Sequence, residues 1–148
     1  MNNKLLVALS AIGSHQASAT ESTNYAIHQL LDYCATYPDD GILYRSSNMI
    51  LSAHSDAGSA NETKSRSQAG AHIFFSENDS IPRWNGPLLT IAQIMRYVVS
   101  SAAEAEMTAL FLTAKEMAPL RNTLTEMGWK QPPSPPQSDN STAVGMTN

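Results

Sequence analysis

Acidic residues at three places along the chain carry the chemistry this sequence offers. Asp56 follows the apolar run Met49-Ile50-Leu51 in "MILSAHSDAGS", Glu104 and Glu106 open the alanine-rich stretch "SSAAEAEMTALFLTAKE", and Asp139 stands in "QSDNSTA". A carboxylate at the end of a strand that otherwise reads as core is either exposed there or held by something positive, because a buried unpaired charge is costly. In an open α/β sheet, carboxylates from strand ends and a flanking helix converge at one edge. Such a cluster repels itself, and a hard divalent cation removes the repulsion. Mg²⁺ takes a few carboxylate oxygens and keeps its other sites for water and phosphate. Two such ions about 3.5–4 Å apart activate a water and stabilise the leaving oxygen of a phosphodiester. On that reading Asp56 is a metal ligand. Each acid also has a plainer role: Asp56 caps a turn, Glu104 and Glu106 favour the positive end of a helix, and Asp139 precedes an N-cap. Spacing alone leaves both open.

Helix geometry excludes one arrangement. Glu104 and Glu106 lie about 200° apart around a helix axis, so they cannot grip one ion together. The helix pattern does not choose between them, since they flank opposite edges of its apolar face.

The elements that must position these acids fall into four regions. Residues 1 to about 45 read as two helices. The first carries Leu5, Leu6, Leu9 and Ile12 at helical spacing, and the second is "STNYAIHQLLDYCATY". Ser22 or Thr23 can cap the second helix, Ile27, Leu30, Leu31 and Cys34 form one face, and Pro38-Asp39-Asp40-Gly41 ends it. Three strand-like runs follow, Met49 to Ser55, Ala69 to Ser76 and roughly Ile81 to Ile91, with "SENDS" as a hairpin turn and "WNGP" as a second turn or bulge. The strongest helix comes next. It is expected to bury Ala103, Met107, Leu110, Phe111, Ala114, Met117 and Ala118, with a kink or restart at Pro119 and a stop at Gly128. A proline-rich linker then leads to the short Gln137-Ser138-Asp139 segment and a helix start at Asn140 or Ser141.

The totals narrow the function classes. A chain of 148 residues that is 42% hydrophobic has enough apolar material for a core, and a net charge of −4 gives no basic footprint for nucleic acid. A polyanion would have to be met locally or through metal ions. The lone Cys34 excludes an internal disulfide. The N-terminal run with Ala17-Ser18-Ala19 imitates a signal-peptidase site, but it is too short to span a membrane.

The blocks "HSDAGS", "SRSQAGAHIFF", "SSAAEAEMTALFLTAKE" and "SDNSTA", in that order, resemble the ribonuclease H domain of copia-type LTR-retrotransposon polyproteins. Upstream, "LLVALSAIGSHQA" and "AIHQLLDYCATYPDDGILY" resemble the segment joining the reverse transcriptase to that domain, so the resemblance spans nearly the whole chain. It implies an α/β, ribonuclease H-like mixed sheet whose first three strands are antiparallel, followed by a helix and a short parallel strand. It also implies a helical arm over residues 1–46, an incomplete domain over 47–148, and cleavage of RNA in RNA/DNA hybrids with Mg²⁺ or Mn²⁺. Carried over position by position, the metal-holding, catalytic acids are Asp56, Asp139 and Glu106, the last because the family's ligand precedes "xxAL"; Glu104 becomes a solvent-facing neighbour. Implied partners are the hybrid and the reverse-transcriptase domain, read through phosphates and 2′-hydroxyls. A cytoplasmic or nuclear setting follows, and the signal-like N-terminus becomes accidental.

The sequence departs from the family in two places. The family's fourth carboxylate has no counterpart among these 148 residues, and Pro135 and Pro136 occupy a stretch where a central strand would donate hydrogen bonds. The alternative expectation is therefore a truncated, inactive relic acting as an interaction module; a secreted protein of unrelated role is a third. Other residues have modest readings. His54 shares a strand face with Asp56 and is structural or incidental, since neutral imidazole is a poor Mg²⁺ ligand. Lys64 and Arg66 flank a solvated turn and could touch a phosphate, Trp84 packs, and Met107 and Met117 are core.

Overall fold

The computed structural model describes residues 5–62, 66–79, 82–133 and 137–138. The chain divides into two units, Met1–Leu43 and Tyr44–Asn148.

The first unit holds helix α1, Leu6–Ser14, a short 3₁₀ turn, and helix α2, Glu21–Thr36. The cap of α2 lies upstream of the expected Ser22 or Thr23. Thr20 takes that place, its side chain accepting from the Thr23 N–H while Thr23 Oγ1 accepts from the Thr20 N–H at 3.2 Å. Thr23 thus serves as the returning member of a capping box, a pattern usually built with Glu or Gln. The apolar face expected on α2 is not covered: Leu31 is 58% exposed, and Ile27 and Cys34 are exposed too. Among the described residues of these two helices only Thr23 is buried, since two short helices offer each other little surface.

The second unit is a mixed α/β arrangement. Strands β1, Ile50–Glu62, β2, Arg66–Ser76, and β3, Pro87–Ile94, form an antiparallel sheet. Helix α3, Ala102–Glu126, follows, and strand β4, Gln137–Ser138, adds in parallel to β1. The strand order is β3-β2-β1-β4. Several expected boundaries move: β2 begins at Arg66 rather than Ala69, and β3 runs on to Ile94 rather than Ile91. The third strand begins at Pro87, the last residue of "WNGP", rather than running through it, because Asn85 and Gly86 are engaged in that turn. The first strand does not end at Asp56. Its pairing with β2 continues in register through Gly58 opposite Gln68 before a register shift. Ladder pairing overrides the weak strand preference of Ala57, Gly58 and Ser59.

Alternation along the strands divides the sheet into two different faces. Leu51, Ala53, Ile73, Met117 and Leu124 form one buried cluster beneath α3, and Ala69, Met95, Val99, Ala105 and Ala109 form another. Fully burying Leu51 or Ile73 contributes about 1.5–3 kcal/mol each. α3 does not use the broad face expected of it. Its buried positions are Ala105, Glu106, Ala109, Thr113, Met117 and Leu124, while Phe111 is 67% exposed and Ala114 and Ala118 are exposed as well. The reason is the sheet surface beneath it. Ala53, Ala57, Ala69 and Ala71 make a shallow floor, and a stripe of small residues lets the helix approach it closely. Thr113 tolerates full burial because its hydroxyl donates to the Ala109 carbonyl at 2.8 Å.

α3 runs through Pro119 without interruption. Pro119 is exposed, so water can take the carbonyl oxygen that a proline leaves without its N–H partner. Gly128 ends the helix as expected: at φ +94 it sits in the left-handed region, with its N–H bound to Thr125 O and the Trp129 N–H to Leu124 O at 2.9 Å. These two bonds define a Schellman motif.

Two side-chain amides complete the frame. Gln131 accepts from the Leu51 N–H and donates to Met49 O, both at 2.9 Å, so its amide stands in for a strand residue at the start of β1. Arg121 holds that segment by donating to Gln131 O and Pro132 O. Met49 itself enters β1 with φ +60.

Candidate functional site

Asp56 lies between Ser55, which is buried, and Ala57, which packs beneath α3. Strand alternation therefore sends its carboxylate from the opposite face, where it is exposed and Oδ1 accepts from the Ala57 N–H at 2.8 Å. Glu106 belongs to the second turn of α3, next to Ala105 and Ala109 over the Ala57–Ala69 floor, and is only 7% exposed. The two acids thus belong to the same end of the sheet but leave from opposite faces.

Glu104, which spacing could not separate from Glu106, has a different task. Its Oε2 accepts from the Ser100 N–H at 2.7 Å and from Ser100 Oγ at 2.6 Å, while Ser101 Oγ accepts from the Glu104 N–H at 3.1 Å. The Ser100 hydroxyl, then the Ser100 N–H, hold its carboxyl below the usual carboxylate range. Glu104 is exposed and closes the helix start.

Asp139 lies outside the described residues, as does Lys64. β4 ends one residue before Asp139, at Ser138, which pairs with Ser55, itself one residue before Asp56. Among the described residues no three His, Cys, Asp or Glu side chains stand close enough to hold a metal ion. Arg66 lies opposite Glu62 in the strand register of the first hairpin.

The face that carries Asp56 has a second feature. His54 and His72 are cross-strand partners on it, and the Trp84 ring lies over them. Trp84 is stacked on His54 with ring centres 4.2 Å apart and planes 9° from parallel, and on Phe74 at 5.8 Å. Beneath it Phe74 is fully buried, whereas Trp84 keeps 56% of its surface exposed. Burial, and then the neighbouring His72, push the His54 pKa below its ordinary value. Trp84 packs as its composition suggests, yet much of its surface remains open.

Sequence reasoning did not single out the residues that hold Trp84 in place. Asn85 Oδ1 accepts from the Arg45 N–H at 2.7 Å and the Gly86 N–H at 2.8 Å, and its Nδ2 donates to Arg45 O and Phe75 O, both at 2.9 Å. The Arg45 guanidinium donates to Trp84 O at 3.1 Å. Between these segments lies a cavity of about 410 Å³ whose lining includes Arg45, Arg83, Ser76 and Trp84. Forty positions separate Arg45 from Asn85, and the only sequence signal is the turn-forming "WNGP" beside an arginine.

Comparison with protein-family profiles, with curated proteins and with solved structures finds no match to this chain. No helix among the described residues is long and apolar enough to cross a membrane.

Proposed function

We propose that this chain is a ribonuclease H-like domain of copia-type retrotransposon descent, acting with divalent metal on the RNA strand of RNA/DNA hybrids. One observation carries the reading: the strand order β3-β2-β1-β4, with three antiparallel strands, a helix, and then a parallel strand that enters beside Asp56. This agrees with the mixed sheet that the resemblance implies, and it brings the chain to Ser138, the residue before Asp139, alongside Ser55. On this reading Glu106, at the same end of the sheet, is the helical acid of the set, and the hydrogen bonds that tie Glu104 to Ser100 support leaving Glu104 out. The partners on this reading are the hybrid and the reverse-transcriptase domain of the parent polyprotein.

The test is cleavage of an end-labelled RNA/DNA hybrid in Mg²⁺ or Mn²⁺, with Asp56→Asn and Glu106→Gln assayed beside the parent chain. The reading expects cleavage of the RNA strand alone, abolished by either substitution. Cleavage that survives Asp56→Asn, or none in either metal, overturns it.

A second reading has its own observation. Asp56 and Glu106 leave opposite faces of the sheet, which favours a non-catalytic interaction module that keeps the fold without the chemistry. That reading expects the parent chain and Asp56→Asn to be equally inert in the cleavage assay while both remain folded.

A further inference from the structure

We infer that the Arg45–Arg83–Trp84 cavity is a binding site for a single-stranded nucleic-acid segment, which seats phosphate on the two guanidinium groups and lays an unpaired base on the indole. Neither Asp56 nor Glu106 lines the cavity, and the inference does not depend on nuclease chemistry.

Shape and charge give the first argument. At about 410 Å³ the cavity falls in the size range of ligand sites, and its lining includes two arginines and the hydroxyl residues Ser46, Ser47 and Ser76. Glu77 also lines it, so two arginines share the lining with one acidic residue. That leaves a local positive balance in a chain whose net charge is −4. A polyanion repelled by the molecule as a whole therefore has one place prepared for it. Arginine suits the task because its planar fork meets phosphate oxygens in pairs.

Trp84 supplies the second argument. Its ring already lies on His54, within 9° of parallel, and Phe74 lies below. The indole is thus held flat by packing on one side while 56% of its surface remains open. A large exposed aromatic fixed in orientation is poorly explained by packing alone. Base stacking uses such a platform, and it selects unpaired bases because only these offer a free face. The backbone supports the same geometry: the Arg45 guanidinium donates to Trp84 O, and the Asn85 amide joins the Arg45 and Phe75 segments. The cationic group and the aromatic platform are therefore held in one framework.

The experiment uses the full chain with Trp129→Phe, so that Trp84 is the remaining tryptophan. EDTA is present throughout, so that binding is read whether or not the chain cleaves anything. The probes are an oligouridylate of about eight nucleotides, within the range of single-strand site sizes, and uridine monophosphate. Saturable change of Trp84 emission with the oligomer is expected, with log K falling against log salt at a slope of about −1.4 for two phosphate contacts. Arg83→Ala, which removes an exposed side chain, should weaken binding several-fold. Trp84→Ala should weaken it about tenfold or more, read by anisotropy of a labelled oligomer. Trp84→Phe retains a ring over His54 and should fall between, which separates lost stacking from lost folding. Unchanged emission with the oligomer overturns the inference, as does wild-type affinity in Arg83→Ala. Uridine monophosphate binding as tightly as the oligomer overturns the strand assignment.

Discussion

Asn85→Ala removes four hydrogen bonds with one substitution. Two of them, to the Arg45 N–H and carbonyl, lie at the surface, where water can replace the amide; those to Phe75 O and the Gly86 N–H are partly buried. A net 0.5–1.5 kcal/mol per bond, discounted for the exposed pair, gives a loss of about 2–3 kcal/mol. With urea m-values of about 1–3 kcal/mol/M, the unfolding midpoint should fall by roughly 1–2 M. Urea titration followed by far-ultraviolet circular dichroism measures it, and Trp84 emission reports whether the adjoining turn loosens first. Asn85→Asp is a sharper control. It keeps the acceptor oxygen but brings a carboxylate to the Arg45 and Phe75 carbonyls, so it should be no better than alanine at neutral pH. It should recover part of its stability in acid, where a protonated carboxyl donates again. A destabilisation below about 0.5 kcal/mol for Asn85→Ala would show that the amide does not join these segments in solution.

Three further outcomes follow from the same structure. The native state holds the His54 pKa below its ordinary value, so the unfolded chain binds more protons in the interval between the two values. Stability from this residue is therefore complete above the ordinary histidine range and is lost as pH falls towards the native pKa. Urea midpoints measured across that range should show the slope, and His54→Phe should reduce it; an identical slope in the variant refutes the assignment. Gly128→Ala puts a side chain at φ +94 and should cost about 1–2 kcal/mol in thermal or urea unfolding, with the Schellman bonds weakened. In Gly86→Ala the new Cβ would meet the Tyr44 ring at 2.6 Å, so the ring must move and its hydroxyl must leave Pro87 O. Overpacking of this kind costs about 1–3 kcal/mol, and Tyr44→Ala should relieve most of it.

How much of this was legible in the sequence depends on how local each cause is. The helix α3, its stop at Gly128 and the hairpin joining β2 and β3 rest on neighbouring residues, and periodicity and turn chemistry expose them. The buried face of α3 is not legible from periodicity, because the broad apolar stripe through Phe111, Ala114 and Ala118 carries no information about the sheet surface the helix meets. The floor beneath is alanine-lined, so burial follows Ala105, Ala109 and Thr113 instead. Asp56 read as a strand end because the small residues after it look like a turn, and only pairing with β2 carries the strand past it. Glu104 and Glu106 were indistinguishable by spacing. The hydroxyl of Ser100 separates them, a contact that depends on how the chain enters the helix. Asn85 was invisible for the opposite reason: its partner Arg45 is forty positions away, and nothing local marks an asparagine that will bind a distant backbone.

The Gln131 amide at the entrance to β1 has a consequence for behaviour at high concentration. A strand border with unfilled backbone donors and acceptors is a template on which another polypeptide can add. Over Met49 to Leu51 that template is occupied by one side chain, which Arg121 keeps in position through the neighbouring carbonyls. Gln131 therefore acts as a molecular stopper, and replacing it would uncover a short adhesive border. Its loss would be felt first as clouding or fibre formation in crowded solution, well before the monomer melts.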